Sequence, residues 1–241
     1  MIEQFIERAS SYAGDIDFLF DLITYMVGFW FIVAEGALFY FLFRFRRQPG
    51  QPTTYVDGTD KKHKRWINVP HFLIIACDVV LIIGAGNVWY KIKQDLPTQD
   101  ATIGIVSQQW AWTFVHPGND GELHTDDDIR LVDELHLEVG KTYHYELTSK
   151  DTLHSFSVPV FRLKQDAVPG RRIKGWFKPE KEGVYDIQCA EMCGIGHGVM
   201  GATLIIHSSK EFDEWLAQAG TPGKNAKVLA AANEKNPRPK D

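Results

Sequence analysis

Two long apolar runs limit what this chain can fold into. Residues 22–43 read LITYMVGFWFIVAEGALFYFLF, with Glu35 as the only charge. A helix rises about 1.5 Å per residue, so this run would extend about 33 Å, enough to cross a bilayer core. Residues 66–90 form a second run, with Asp78 as its one acid and Trp or Tyr at its ends, as at membrane interfaces. A buried hairpin of a soluble protein is the alternative, but the length and aromatic flanks of both runs favour a spanning pair. The link between them carries Arg44, Arg46, Arg47, Lys61, Lys62, Lys64 and Arg65 against Asp57 and Asp60. Its positive charge places it in the cytoplasm and both termini on the outer face. No basic region precedes an apolar core at the start, so the first helix is read as the targeting element rather than a cleaved leader.

From residue 100 the pattern changes. Short stretches rich in Val, Ile, Thr and aromatics, at 102–106, 109–115, 129–137, 142–148, 154–160, 171–177, 183–189 and 201–207, are separated by Gly, Pro, Asp and Asn. That spacing predicts an all-β sandwich or barrel. Residues 210–219 predict a short amphipathic helix with Phe212, Trp215 and Leu216 on one face. The expected organisation is an anchor over 1–95, a β domain over 96–210, and a short helix with a flexible tail over 211–241. The net charge of −5 gives no sign of nucleic-acid binding.

The chemistry concentrates in the segment Cys189-Ala-Glu191-Met-Cys193-Gly-Ile-Gly-His197-Gly-Val-Met200. The chain has three cysteines, and Cys77 lies within the second apolar run, so they form no disulfide framework. Thiolate, thioether and imidazole are donors that suit copper. Two thiolates can each bridge two metals, each metal then taking a terminal histidine, with His154 upstream as the second. Met200 can be a weak axial donor, and the Glu191 carbonyl can serve the other metal. Two coppers sharing one odd electron change their bonds little on reduction, which suits electron transfer. A structural zinc held by two Cys and two His is an alternative, although three residues separate the cysteines where zinc pairs more often have two, and Met200 would be idle. A redox thiol pair fits less well, because the C-x-x-C spacing is absent.

The motif Cys-x-Glu-x-Cys-Gly-x-x-His-x-x-Met resembles the CuA loop of cytochrome c oxidase subunit II. So do Asp151-Thr-Leu-His154-Ser-Phe, the later Pro159, Lys164, Asp166, Ala167, Pro169, Gly170 and Arg171, and Ser107-Gln-Gln-Trp110-Ala-Trp112. The resemblance covers about residues 15–217. It implies two transmembrane helices followed by a cupredoxin-like Greek-key sandwich in the periplasm of a bacterial inner membrane, a mitochondrial inner membrane being the lesser expectation. It implies a dinuclear copper centre with Cys189 and Cys193 bridging, His154 and His197 terminal, Met200 axial and Glu191 bound through its carbonyl. The Glu191 side chain would reach a magnesium at the boundary with subunit I. Trp110 would receive electrons from a cytochrome c, soluble or membrane-bound. They would pass to haem a in subunit I, whose haem a3-CuB site reduces oxygen with proton pumping. Subunit III and membrane lipid are further expected partners. A CuA-bearing subunit of a nitric oxide reductase-type complex is the alternative.

Two positions depart from the family pattern. Ala111 stands between the tryptophans where a large residue is usual. His63 stands three residues before Trp66, where many members have a glutamate at a proton-channel mouth. Glu35 and Asp78 are expected to contact neighbouring subunits or to move protons, since acids within a membrane span are costly. Asp126, Asp127, Asp128, Asp133, Glu134 and Asp151 give the outer domain an acidic character, either a solvated surface or a field that steers a basic donor. Cys77 is expected to be a small apolar helix residue.

Overall fold

The computed structural model describes residues 2–52, 55–118 and 120–219. The expected tail from Gly220 lies outside them. The chain divides into two compact units, residues 17–90 and residues 3–16 together with those from Lys91 onward.

The first unit is a helix pair. α1 spans Ala13–Arg44 and α2 spans Lys61–Lys93. Both exceed the apolar runs that seed them, because polar residues continue the hydrogen-bonded ladder at either end. Asp60 caps α2, accepting the Lys62 N–H at 2.9 Å. Both helices are long and apolar enough to cross a membrane, with mean hydropathies of 1.9 and 2.1, and neither buries any of its apolar window. The Trp30 indole N–H donates to Cys77 Sγ at 3.4 Å, so Cys77 is a polar tie between the helices as well as a small packing residue. Among the described residues the carboxylates of Glu35 and Asp78 make no hydrogen bond or ion pair.

The second unit is the all-β sandwich expected of a cupredoxin-like domain. Its strands are β1 (Ala101–Gln108), β2 (Ala111–His116), β3 (Ile129–Val132), β4 (Glu134–Glu138), β5 (Tyr143–Ser149), β6 (His154–Val158), β7 (Leu163–Ala167), β8 (Ile173–Phe177), β9 (Gly183–Cys189) and β10 (Gly201–His207), followed by α3 (Ser209–Ala219). One sheet runs β3-β2-β1-β5-β8 and the other β4-β10-β9-β6-β7. Inward residues of both, among them Ile105, Trp112, Phe114 and Tyr145 from one and Leu135, Phe156, Ile187 and Leu204 from the other, form one core.

Two strand expectations change. The run 129–137 is two strands, not one. Asp133 adopts φ 57°, a left-handed conformation that Asp tolerates better than most residues. Its carboxylate accepts the Trp112 N–H at 2.8 Å, and the chain crosses from one sheet to the other there. β7 is a strand that the sequence pattern does not predict. Its sequence LKQDA alternates weakly because it lies at a sheet edge, where Leu163 and Ala167 face inward and the charged residues face out.

The segment before α1 belongs to this β unit. Ser10 bridges Pro179, the Ala9 N–H donates to the Val160 carbonyl at 2.9 Å, and the Glu180 N–H donates to the Ala9 carbonyl at 2.8 Å. Arg162 donates to the carbonyls of Ile6 and Glu7. Tyr12 is buried edge-on against Trp176, its hydroxyl donating to the Trp176 carbonyl.

Candidate metal centre

The centre forms where three pieces of chain converge at one end of the sandwich. Cys189 ends β9, and its N–H donates to the Met200 carbonyl at 3.0 Å, closing the loop that carries Glu191, Cys193 and His197. His154 opens β6, the neighbouring strand, where Phe156 pairs with Cys189. The Ala190 N–H donates to the Ser155 carbonyl, fixing the loop to that strand.

The donor atoms face one another. Cys189 Sγ and Cys193 Sγ are 3.8 Å apart, far beyond the ~2.05 Å of a disulfide. His154 Nδ1 is 3.9 Å from Cys189 Sγ, and His197 Nδ1 is 3.7 Å from Cys193 Sγ. Met200 Sδ lies 3.2 Å from His154 Nδ1 and 3.8 Å from Cys193 Sγ. The Glu191 carbonyl oxygen lies 3.3 Å from Cys189 Sγ. Donors that share a metal at about 2.0–2.3 Å per bond sit at separations of this order. His154, Cys189, Cys193 and Met200 are buried, and all the converging donors but the carbonyl are soft or borderline. No lysine or arginine is among them, so the donor set fits copper.

Two side chains outside the expected ligand set shape it. Asp151 Oδ1 lies 2.8 Å from His154 Nε2. A carboxylate only accepts, so Nε2 carries the ring proton and Nδ1 presents its lone pair to the sulfurs. Partial burial works against the Asp151 charge, but His154 and the N–H groups of Gln109 and Thr152 hold its carboxyl below the usual range. Its spacing, Asp-x-x-His, is the available sequence signal, although charge alone groups Asp151 with the surface acids. Gln109 is the second: its Nε2 donates to the Cys193 carbonyl at 2.7 Å. Burial, and then the adjacent Cys189, pushes the Cys193 thiol up to about 11, so a metal must displace its proton.

Trp110 packs on the loop. Its indole N–H donates to the Cys193 carbonyl at 3.3 Å. A Cβ at position 196 would lie 2.4 Å from Trp110 Cδ2, so only glycine allows the ring this approach. Trp110 is 39 % exposed, whereas Trp112 is fully buried, edge-on to His154 and Phe156. The two tryptophans therefore differ in setting, since Trp110 meets the surface and Trp112 backs His154.

The chain is similar to known proteins. The family model described as cytochrome C oxidase subunit II, periplasmic domain, matches residues 79–208. The alternative cytochrome c oxidase subunit 2 of Bradyrhizobium diazoefficiens is 32% identical, the match covering 91% of this chain and 87% of the relative. The chain belongs to the cytochrome c oxidase subunit II family. Another subunit 2, from Cereibacter sphaeroides, is 27% identical over 89% of this chain and 79% of its own length. A solved periplasmic domain of subunit II from Bradyrhizobium japonicum is 31% identical, covering 52% of this chain and 96% of that one, with a TM-score of 0.45. As a subunit II, this chain is a component of a haem-copper oxidase with a copper-type donor cluster in its β domain.

The surface acids divide by their partners. Asp128 is buried and paired with Arg130, Asp133 holds the strand crossing, and Asp151 holds His154. These three have structural partners rather than forming an open acidic field. His63 is exposed in the first turn of α2.

Proposed function

We propose that this subunit holds a dinuclear CuA centre, accepts electrons from a cytochrome c and passes them to haem a in subunit I, where oxygen is reduced with proton pumping. The observation that carries the reading is the convergence of two unbonded cysteine sulfurs with a histidine beside each. Cys189, Cys193, His154, His197, Met200 and the Glu191 carbonyl would hold the copper pair. Bound there, the copper pair supplies a one-electron acceptor whose bonds change little on reduction.

The chain's own residues do the rest. Asp151 keeps His154 in the ligating tautomer, and the sandwich holds the donors in place with or without the extra electron. Trp110 is the entry point: its ring reaches the surface and its N–H is bonded to the backbone of Cys193. The same loop exposes Met192, Ile195 and Val199, by 71%, 96% and 85%. This apolar rim suits a donor that presents an uncharged face, and it compensates for the small Ala111. Glu191, whose carboxylate is half-buried, would offer one or two oxygens to a magnesium. The ion prefers six, so subunit I and water would provide the others.

The helix pair would anchor the subunit in a bacterial inner membrane beside subunits I and III. Residues 3–16 and those from Lys91 onward belong to one unit, so the chain leaves that unit and returns to it through the helix pair. The basic link then faces the cytoplasm and the β unit the periplasm. The decisive measurement is copper content and the electron paramagnetic resonance spectrum of the detergent-solubilised full chain. Two coppers sharing one unpaired electron are expected; one copper, or zinc, overturns the reading.

A further inference from the structure

Away from the metal loop, three strands turn a histidine each towards α3. His136 Nδ1 of β4 and His207 Nε2 of β10 are 2.8 Å apart, their rings inclined by 6° with centroids at 5.1 Å. The contact is therefore head-on and in plane. A metal between two collinear nitrogens would hold them about 4 Å apart, at ~2.0–2.1 Å per bond, so this pair is joined by a proton and not by an ion. One ring donates, the other must accept, and the bond is lost if both nitrogens are protonated.

Trp215 of α3 lies flat on His136, 4.4 Å away and inclined by 10°, and meets the third histidine, His116 of β2, edge-on at 5.1 Å. His116 is buried and its Nε2 has no hydrogen-bond partner among the described residues. Ile129 and Leu131 of β3, with Leu216 and Ala219, complete the seat. Trp215 thus joins this apolar seat to the titratable rings beneath the helix.

The surrounding charges are few or engaged elsewhere. On β4, Glu134 Oε2 lies 3.9 Å from His136 Nε2 but is half-exposed, and Glu138 is the register partner of His207. On α3, Glu211 accepts from Ser208 and Glu214 lies 3.8 Å from Lys210. Glu182, before β9, lines the same groove as His207, Glu211 and Glu214. On β3, Asp128 and Arg130 pair with each other.

We propose that this three-histidine cluster is an acid-sensitive latch, which holds α3 on the sandwich while the rings are neutral and releases it as they take up protons. Burial, then His136, pushes His116 down to about 3. Burial, then His207, pushes His136 to about 4, and burial lowers His207 against an opposing pull from Glu211. Once the helix lifts, His116 and His136 regain water and their affinities rise towards the ordinary midpoint near ~6.5. The docked state therefore binds fewer protons than the open one. The latch is fully effective above about pH 6.5 and weakens as pH falls from there towards about 4, by up to about tenfold per pH unit for each ring. His116 and His136 together give up to about a hundredfold per unit. α3 thereby senses the acidity of the compartment in which this unit lies.

Hydrogen exchange of the full chain in detergent, read by mass spectrometry between pH 7 and 5 and corrected for intrinsic rates, tests this. Amides of Phe212–Ala219 are expected to lose protection as pH falls below about 6.5, by up to about tenfold per pH unit for each ring, while those of β1 and β5 hold theirs. His116→Phe with His136→Phe keeps aromatic volume without protons and should flatten the slope. Protection of α3 independent of pH in the wild type overturns the latch, as does a wild-type slope in the double variant. The wild-type profile decides alone if that variant fails to fold.

Discussion

His154 donates its Nε2–H to the Asp151 carboxylate at 2.8 Å, and so its Nδ1 is left bare beside the sulfurs of Cys189 and Met200. The carboxylate is not a ligand, yet it decides which nitrogen can be one. Asp151→Asn could donate to Nε2 and favour the wrong tautomer. Copper affinity of the full chain, measured by competition with a chelator, is expected to fall about 10- to 100-fold. An unchanged affinity would show that packing alone orients the ring.

Glycine at position 196 is required by Trp110. A methyl there would meet the indole at 2.4 Å, whereas at Gly198 nothing lies within 4 Å. Gly196→Ala should displace the indole, lower stability by about 1–3 kcal/mol and slow electron uptake while copper content holds. Gly198→Ala is the matched control and should behave as the parent. Equal electron-uptake rates in the two variants would contradict the entry role of Trp110.

The apolar rim makes a separate prediction about the donor. Ile195→Asp adds a charge to the most exposed apolar side chain of the loop. Stopped-flow reduction by cytochrome c should slow at least about tenfold, equivalent to about 1.4 kcal/mol of docking, while reduction by a small chemical reductant is unchanged. If both rates fall together, the substitution has damaged the centre and not the docking surface.

Asp133 joins the two sheets through its left-handed backbone and its bond to the Trp112 N–H. Asp133→Ala loses the acceptor and meets the conformational penalty, so unfolding should become easier by about 1–3 kcal/mol. Asn keeps an acceptor and tolerates the same φ. Thermal melts should therefore order the parent and Asn above Ala, and an Ala variant as stable as Asn would remove the acceptor's role.

Sequence reasoning reaches the metal loop because its donors are chemically unusual and tightly spaced, and it reaches the helices because their apolar runs are long. Most of the β segments are legible as short apolar stretches. β7 is not, because an edge strand needs only Leu163 and Ala167 to face inward. The break at Asp133 is hidden because Val132 and Leu135 on its two sides both look like strand interior. Asp151 and Asp128 read as surface acids, since a sequence gives charge without the partner that engages it. The histidines at 116, 136 and 207 carry no local motif at all. They lie far apart in sequence and meet only when β2, β4 and β10 pack beneath α3.

The bridge between Ser10 and Pro179 joins residues from opposite sides of the helical hairpin in the sequence. Tyr12 packs on Trp176, and the Ser10 hydroxyl reaches the Phe161 carbonyl, only when the segment before α1 arrives on the same side as the late strands. An inverted or half-inserted hairpin could not supply these contacts, and its β unit would keep an open apolar flank. Correct insertion is thus written into the stability of the unit that follows it, so folding proofreads topology without a separate device.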